Sequence, residues 1–346
     1  MIDQLQADLP WAGKFEIWNL KINHTMFDII TIGTATRDIF LRSDDFKILD
    51  DLRFVNGKSM AFEAGAKTEI KEMIFETGGG ATNSAVTFAR LGLKTAACCK
   101  VGNDLAAKNI VEALKEEKVK INLIKQDKFN PTSVSIIFLS DSGERNVFVY
   151  RGALVHKEDI SFNKIKTKWL YVSSVGGDID LLDKIAEFVI SKNIKLALNP
   201  GSKELSLGSK KLFNIFNATT ILILNRKEAS DLMGIPYNFR KTIFRRSCGL
   251  TPGIEVITDG PDGAYVADEG QSYKIGIYNW PLVDRLGAGD AFGSGFVGGY
   301  IKYHDITKAL QYAAANGSSV VTKIGAKAGI IKHFPPEPLD VKIEAL

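Results

Sequence analysis

The chain predicts an α/β fold on a mostly parallel sheet, and two observations carry that prediction. From residue 27 onward, short apolar runs alternate with stretches of helical spacing, the order in which strands and helices follow one another in βαβ units. Two of the helical stretches open on runs of small residues, Gly78-Gly79-Gly80 and Gly287-Ala288-Gly289, which let the backbone come close to a ligand. A length of 346 residues allows a large core and sets a soft prior of about two domains. Hydrophobic content of 45% and charged content of 24% are those of a soluble globular protein.

Residues 1–26 lack periodicity and read as an N-terminal extension. Their start has no apolar signal segment, and no run in the chain reaches membrane-spanning length, so a cytoplasmic protein without a membrane partner is expected. The three cysteines form neither a disulfide framework nor a metal spacing; Cys98 and Cys99 sit in an apolar run and read as core. Net charge is +4, and the densest basic cluster, Arg240-Lys241 with Arg245-Arg246, reads as a solvated helix face, so no nucleic-acid partner is expected.

The first strand, 27–32, ends at Gly33. The loop after it leads to Asp38, whose carboxylate can accept two hydroxyl hydrogen bonds. Residues 44–75 are polar, with Gly57 and Gly65 as breaks. The helix after Gly80 carries Val86, Phe88, Ala89 and Leu91 on an apolar spacing and stops at Gly92. A strand at 94–101 follows, then a helix at 105–118 with Asp104 as its N-cap, and a strand at 121–124. Residues 132–139 and 146–150 alternate around Asp141-Ser142-Gly143-Glu144 and read as a hairpin. Arg145 and Arg151 flank it; they read as surface charges, with contact to an anionic substrate as the other reading.

Strands at 169–173, 194–198 and 221–224 alternate with a helix at 180–191. Asn225 and Glu228, three apart on a starting helix, share a face that suits hard oxygen ligation. Strands at 255–258, 264–267 and 273–277 enclose the tight turn Asp259-Gly260-Pro261-Asp262-Gly263. Helices at 289–303 and about 306–322 close the chain. A small-residue run from Ala313 to Gly329 makes room for a flat base and offers Asn316 as a contact.

The chemistry concentrates at 284–292. The N–H groups of Gly287, Ala288 and Gly289, aided by the dipole of the following helix, form an anion cradle, and Asp290 lies in the first helical turn. A cradle for a moving phosphoryl group beside a carboxylate that takes a hydroxyl proton is what phosphoryl transfer requires.

The segment Asp284-Arg285-Leu286-Gly287-Ala288-Gly289-Asp290-Ala291-Phe292 resembles the signature D-T-x-G-A-G-D-x-F of the ribokinase (PfkB) family of carbohydrate kinases. Arg285 replaces the usual Thr, as in some sugar-acid kinases of the family. Gly78 to Ala85 is similar to the family's G-G-x-x-x-N-x-A. Gly33 to Asp38 resembles G-S-x-N-x-D with Thr36 in place of Asn, Asn225 to Glu228 resembles N-x-x-E, and Thr258 to Gly263 resembles T-x-G-x-x-G. The resemblance covers about residues 28–332.

It implies a ribokinase-like three-layer αβα sandwich over 27–340, with a central mostly parallel sheet. A small β-sheet lid would form from about 39–77 and part of 131–150. The implied activity is ATP-dependent phosphorylation of a hydroxyl on a sugar or sugar-like molecule. Asp290 would be the base, with Gly287, Ala288 and Gly289 as the anion hole and Asp38, Gly79 and Asn83 holding the acceptor. Asn225, Thr258, Gly260, Gly263 and Asn316 would meet ATP, and Glu228 would orient Mg²⁺ through water. The resemblance further implies a K⁺ site at Asp284, Leu286 and Gly325, and a homodimer paired through the lid. A nucleoside kinase of the same family and a catalytically silent sugar- or nucleotide-binding protein stay open as alternatives. A Walker A loop, the protein-kinase motif set and a dinucleotide-binding G-x-G-x-x-G after the first strand are absent from the sequence.

Overall fold

The computed structural model describes residues 26–54, 57–140 and 144–345. The extension expected at 1–26 therefore lies outside the described residues except for Met26, as does the 141–143 part of the expected hairpin turn.

Nine strands make the main sheet of the described residues. Their order is Val341–Ala345, Gln271–Ile275, Ala264–Asp268, Ile254–Thr258, Ile221–Asn225, Lys195–Leu198, Thr167–Val172, Phe27–Ile32 and Thr95–Cys98. Pairing is parallel from Ile254–Thr258 across to Thr95–Cys98 and antiparallel towards the other edge. Strands covered on both faces read as unbroken apolar runs, which is why 221–224 is Ile-Leu-Ile-Leu.

Successive side chains point to opposite faces. Leu222 and Leu224 join Leu170, Val172 and Leu198 in a core that also takes in Leu181, Leu182 and Ile185 of the helix Ile179–Lys192. Ile223 joins Tyr171 and Ala197 in a second core, against Phe292, Phe296 and Ala313 of the helices Ala288–Tyr303 and Ile306–Val320. The sheet between two helical layers is the three-layer α/β arrangement expected.

A second sheet has the order Arg145–Tyr150, Ser133–Leu139, Thr36–Arg42 and Glu72–Gly78. Its middle pair is parallel and the outer pairs are antiparallel. Phe40, Ile137 and Leu139 on its inner face pack against Leu286 and Ile324, which seats the sheet over the loops that leave the main sheet.

Two local expectations need correction. Residues 121–124 form a turn rather than a strand. Ile121 and Ile124 are buried with Ile110, Val111 and Leu114 of the helix Leu105–Glu116, while sheet-like pairing falls to Lys120 and to Lys125–Gln126. An apolar pair filling a helix groove gives the same short apolar run as a strand. The strand expected at 273–277 is Gln271–Ile275. Asp104 caps its helix as expected, accepting from the Ala107 N–H at 2.8 Å. Cys98 and Cys99 are buried, and burial pushes the Cys98 thiol up to about 12. Among the described residues, no helix is long and apolar enough to cross a membrane.

Candidate active site

The carboxyl ends of parallel strands are where ligands collect in open α/β sheets. Here the strand Phe27–Ile32 leads to Thr34, Thr36 and Asp38. The helix Gly80–Arg90 presents Asn83, and the helix Ala288–Tyr303 presents Asp290. All five, together with Gly79, Leu286 and Gly287, line one cavity of about 220 Å³.

Asp290 Oδ2 accepts a hydrogen bond from Asn83 Nδ2 at 2.8 Å. Only the amide nitrogen can donate to a carboxylate, so Asn83 Oδ1 is left buried without a partner among the described residues. A buried acceptor in that state costs about 1–3 kcal/mol, which a ligand hydroxyl would relieve. Asp290 keeps an opening to the cavity, but protein encloses its carboxyl on the other sides. Burial raises its pKa, against the Asn83 hydrogen bond and the charge of Lys327.

Gly287 is the N-cap of the Ala288–Tyr303 helix, with φ of 78° and no side-chain cap. A Cβ there would also meet the Ala326 Cβ at 2.4 Å. The first N–H groups of a helix lack intrahelical partners, so those after Gly287 point outward as donors. Ala288 N–H makes only a long bond, 3.4 Å, to Arg285 O. The loop is held from behind by Asp284. Its buried carboxylate accepts from Leu286 N–H at 3.0 Å and Gly325 N–H at 3.4 Å, and faces Arg145 of the small sheet at 3.5 Å.

Asp38 is buried, and its Oδ1 accepts from the Thr36 hydroxyl at 2.9 Å. Burial raises its pKa, opposed by that hydrogen bond and by Lys327. Lys327 was not anticipated. Its side chain is buried, its ammonium donates to the Thr77 carbonyl, and its charge acts on Asp38, Glu76 and Asp290. Burial brings its pKa down to about 8 against the pull of those three carboxylates. A lone lysine in a small-residue loop gives no sequence signal of burial.

The residues expected to meet the phosphoryl donor lie outside this cavity, on neighbouring strand ends. Asn225 and Thr258 are register partners in the sheet. Asn225 caps its helix by accepting from Glu228 N–H at 2.8 Å, while Glu228 Oε2 accepts from Asn225 N–H at 2.8 Å. Glu228 has some solvent exposure, yet burial, helped by the charge of Asp290, pushes its carboxyl up to about 7. Gly260 and Gly263 close the turn through a 3.1 Å bond from Gly263 N–H to Gly260 O. Asp259, between Thr258 and Gly260, pairs with Arg226 at 2.9 Å and Arg240 at 2.6 Å. Arg240 is thus part of an ion-pair network rather than a purely solvated charge.

Asn316 does not fit its expected role. It is fully buried, donating to Ala291 O at 2.7 Å and accepting from Ile331 N–H at 3.0 Å. It ties two helices to the C-terminal segment and offers nothing to a nucleotide.

The profile of the pfkB family carbohydrate kinases matches residues 28–332. A ribokinase from Haemophilus influenzae is 26% identical over 260 residues, covering 73% of this chain and 83% of the relative. A nucleoside kinase from Methanocaldococcus jannaschii is 24% identical over 257 residues, covering 73% of this chain and 82% of the relative. Among solved structures, Arabidopsis thaliana ribokinase complexed with ribose and ATP superposes with a TM-score of 0.73 at 19% identity, over 88% of this chain and 96% of that one.

Proposed function

The chain belongs to the pfkB family of carbohydrate kinases, and on that premise we propose that it transfers a phosphoryl group from ATP to a hydroxyl of a sugar or sugar-like acceptor. The observation that carries this reading is the Asp290 carboxylate at the first turn of the Ala288–Tyr303 helix. It sits in the same cavity as Asp38 and the unpartnered Asn83 oxygen. An acceptor hydroxyl beside Asp290 would lose its proton to that carboxylate as its oxygen attacks phosphorus. The raised pKa makes Asp290 a stronger base than an ordinary aspartate. The outward N–H groups after Gly287 would hold the charge on the transferring phosphoryl oxygens.

Asn225, Thr258 and Gly260 suit the donor side. Mg²⁺ bound to the donor phosphates would neutralise their charge, and the Glu228 carboxylate suits one of its waters. Backbone carbonyls at Asp284, Leu286 and Gly325 suit K⁺, because the Asp284 carboxylate already ties those segments together. The half-exposed Met73, Phe75, Phe148 and Tyr150 on the small sheet support its pairing with a second copy.

The test is ATP consumption and product formation against sugars, sugar acids, sugar phosphates and nucleosides. Asp290→Ala should lower kcat by about 10²–10⁴-fold with a smaller change in acceptor binding. Near-normal turnover in that variant would rule out Asp290 as the base. A nucleoside as best acceptor would select the nucleoside-kinase alternative.

A further inference from the structure

The acceptor cavity carries an electrostatic gradient across its floor. The inner face of the small sheet supplies that floor, and its register places two rows side by side. Asp38 pairs with Ser135, which pairs with Val149. Thr36 pairs with Ser133, and Arg151 follows one residue past Tyr150, the partner of Val134. Thr36, Asp38, Ser133, Ser135, Val149 and Arg151 all line the cavity. Adjacent strands lie about 4.8 Å apart, so the carboxylate edge and the Arg151 edge are separated by about 10 Å of floor. The serine hydroxyls fill the interval.

Arg151 is the single cationic residue lining this cavity, and among the described residues no carboxylate pairs with it. The other arginines near the loop are engaged. Arg145 faces Asp284, Arg42 pairs with Glu72, and Arg37 lies over the Phe75 ring. Arg285, the sequence clue to substrate class, is absent from the lining and acts on Glu144 instead. The backbone beside Arg151 is fixed: Gly152 N–H donates to Ser133 Oγ at 3.1 Å and Ala153 N–H to Pro131 O at 2.8 Å. An exposed guanidinium carried on this fixed backbone, without a carboxylate partner among the described residues, is suited to a planar or tetrahedral anion.

We infer that the acceptor is an anionic polyol, a sugar acid or sugar phosphate, whose charged group meets Arg151 while the hydroxyl to be phosphorylated lies at Asp290. The inference rests on the kinase reading for the reacting end only; the anion preference is a property of the cavity. Asp38 and Asp290 repel an anion from their own edge, so the same charges that select hydroxyls there fix the orientation of the ligand.

The experiment compares an aldonic acid and a sugar phosphate with their matching neutral sugars and a nucleoside. Steady-state kinetics with ATP and calorimetric binding without it would be run on wild type, Arg151→Ala and Arg151→Lys. The expected result is a preference for one anionic class by about 10- to 100-fold in kcat/KM and in Kd. Arg151→Ala should remove it mainly through KM, and Arg151→Lys should restore part. The carboxylate and phosphate arms say which anion is used. Equal or better handling of the neutral sugars or the nucleoside, or an unchanged ratio in Arg151→Ala, overturns the inference. Arg151-dependent anion binding without turnover of any acceptor would sink the kinase reading and support this one.

Discussion

The two small-residue helix starts look alike in sequence and do different work. At Gly78-Gly79-Gly80, an added Cβ would collide with protein at every position. It would meet Asp38 Oδ2 at 1.9 Å, Thr34 O at 2.5 Å and Ser173 Oγ at 2.6 Å in turn. The backbone there is also spoken for, since Gly80 N–H donates to Thr34 Oγ1 and Ala81 N–H to Thr34 O. Of the two glycines at Gly287-Ala288-Gly289, Gly287 is packed against Ala326, whereas a Cβ on Gly289 would meet nothing within 4 Å. Glycine at the first start is demanded by the fold. At Gly289 the protein makes no such demand, and the space beside it is open. One start positions Asn83 and lines the cavity with Gly79; the other is open beyond Gly287.

The comparison breaks or holds on a pair of alanine substitutions. Gly79 has φ of 97° and backbone atoms in the way of a side chain. Gly79→Ala should therefore cost about 2–5 kcal/mol of stability, read as a fall in the urea midpoint. Gly289→Ala should leave stability within about 0.5 kcal/mol, with any change tending upward because alanine suits a helix better. On the proposed kinase reading its kcat should nevertheless fall by about 10²-fold, because the methyl would crowd the N–H groups proposed to hold the phosphoryl group. A stable Gly79→Ala, or a Gly289→Ala whose urea midpoint falls by as much while the folded enzyme keeps its kcat, would reverse the assignment of the two starts.

How much of this was legible beforehand follows from what each residue's role depends on. The sheet was readable because strands covered on both faces have to be apolar runs, as at Ile221–Leu224. Asp104 and Asn225 were readable as helix starts because capping is local chemistry. Asp290 and Asn83 were readable as candidates, but their 2.8 Å hydrogen bond joins residues 207 positions apart and belongs to the tertiary structure. Asn316 was misplaced because a run of small polar residues does not say which helix face turns inward. Arg145 and Arg151 were equivalent as sequence; register and a carboxylate at Asp284 separate them. Lys327 was invisible for the same reason. Its loop is held by a residue far away in sequence, Arg90 of the Gly80–Arg90 helix, which donates to the Lys327 carbonyl at 3.1 Å while pairing with Glu117.

Lys327 also sharpens the comparison, because it connects the two starts. Its ammonium donates to the carbonyl of Thr77, one residue before Gly78, and its charge lowers the pKa of Asp290 on the other helix. Lys327→Gln should keep a polar contact to Thr77 while leaving Asp38, Glu76 and Asp290 without that cation. Burial would then raise the Asp290 pKa unopposed by it, so the acid limb of the kcat/KM profile should move to higher pH. Wild type should show the converse in its stability. With a folded pKa of about 8 against an ordinary 10.5, Lys327 is protonated in both states below pH 8, and its burial cost is fully present there. Between those values the folded chain gives up the proton first, so this group adds stability as pH rises through that window. The glutamine variant should lack that rise in a series of urea midpoints taken from pH 7 to 10. An unmoved acid limb together with an unchanged pH–stability slope would leave Lys327 as a packing residue and the two helix starts electrostatically independent.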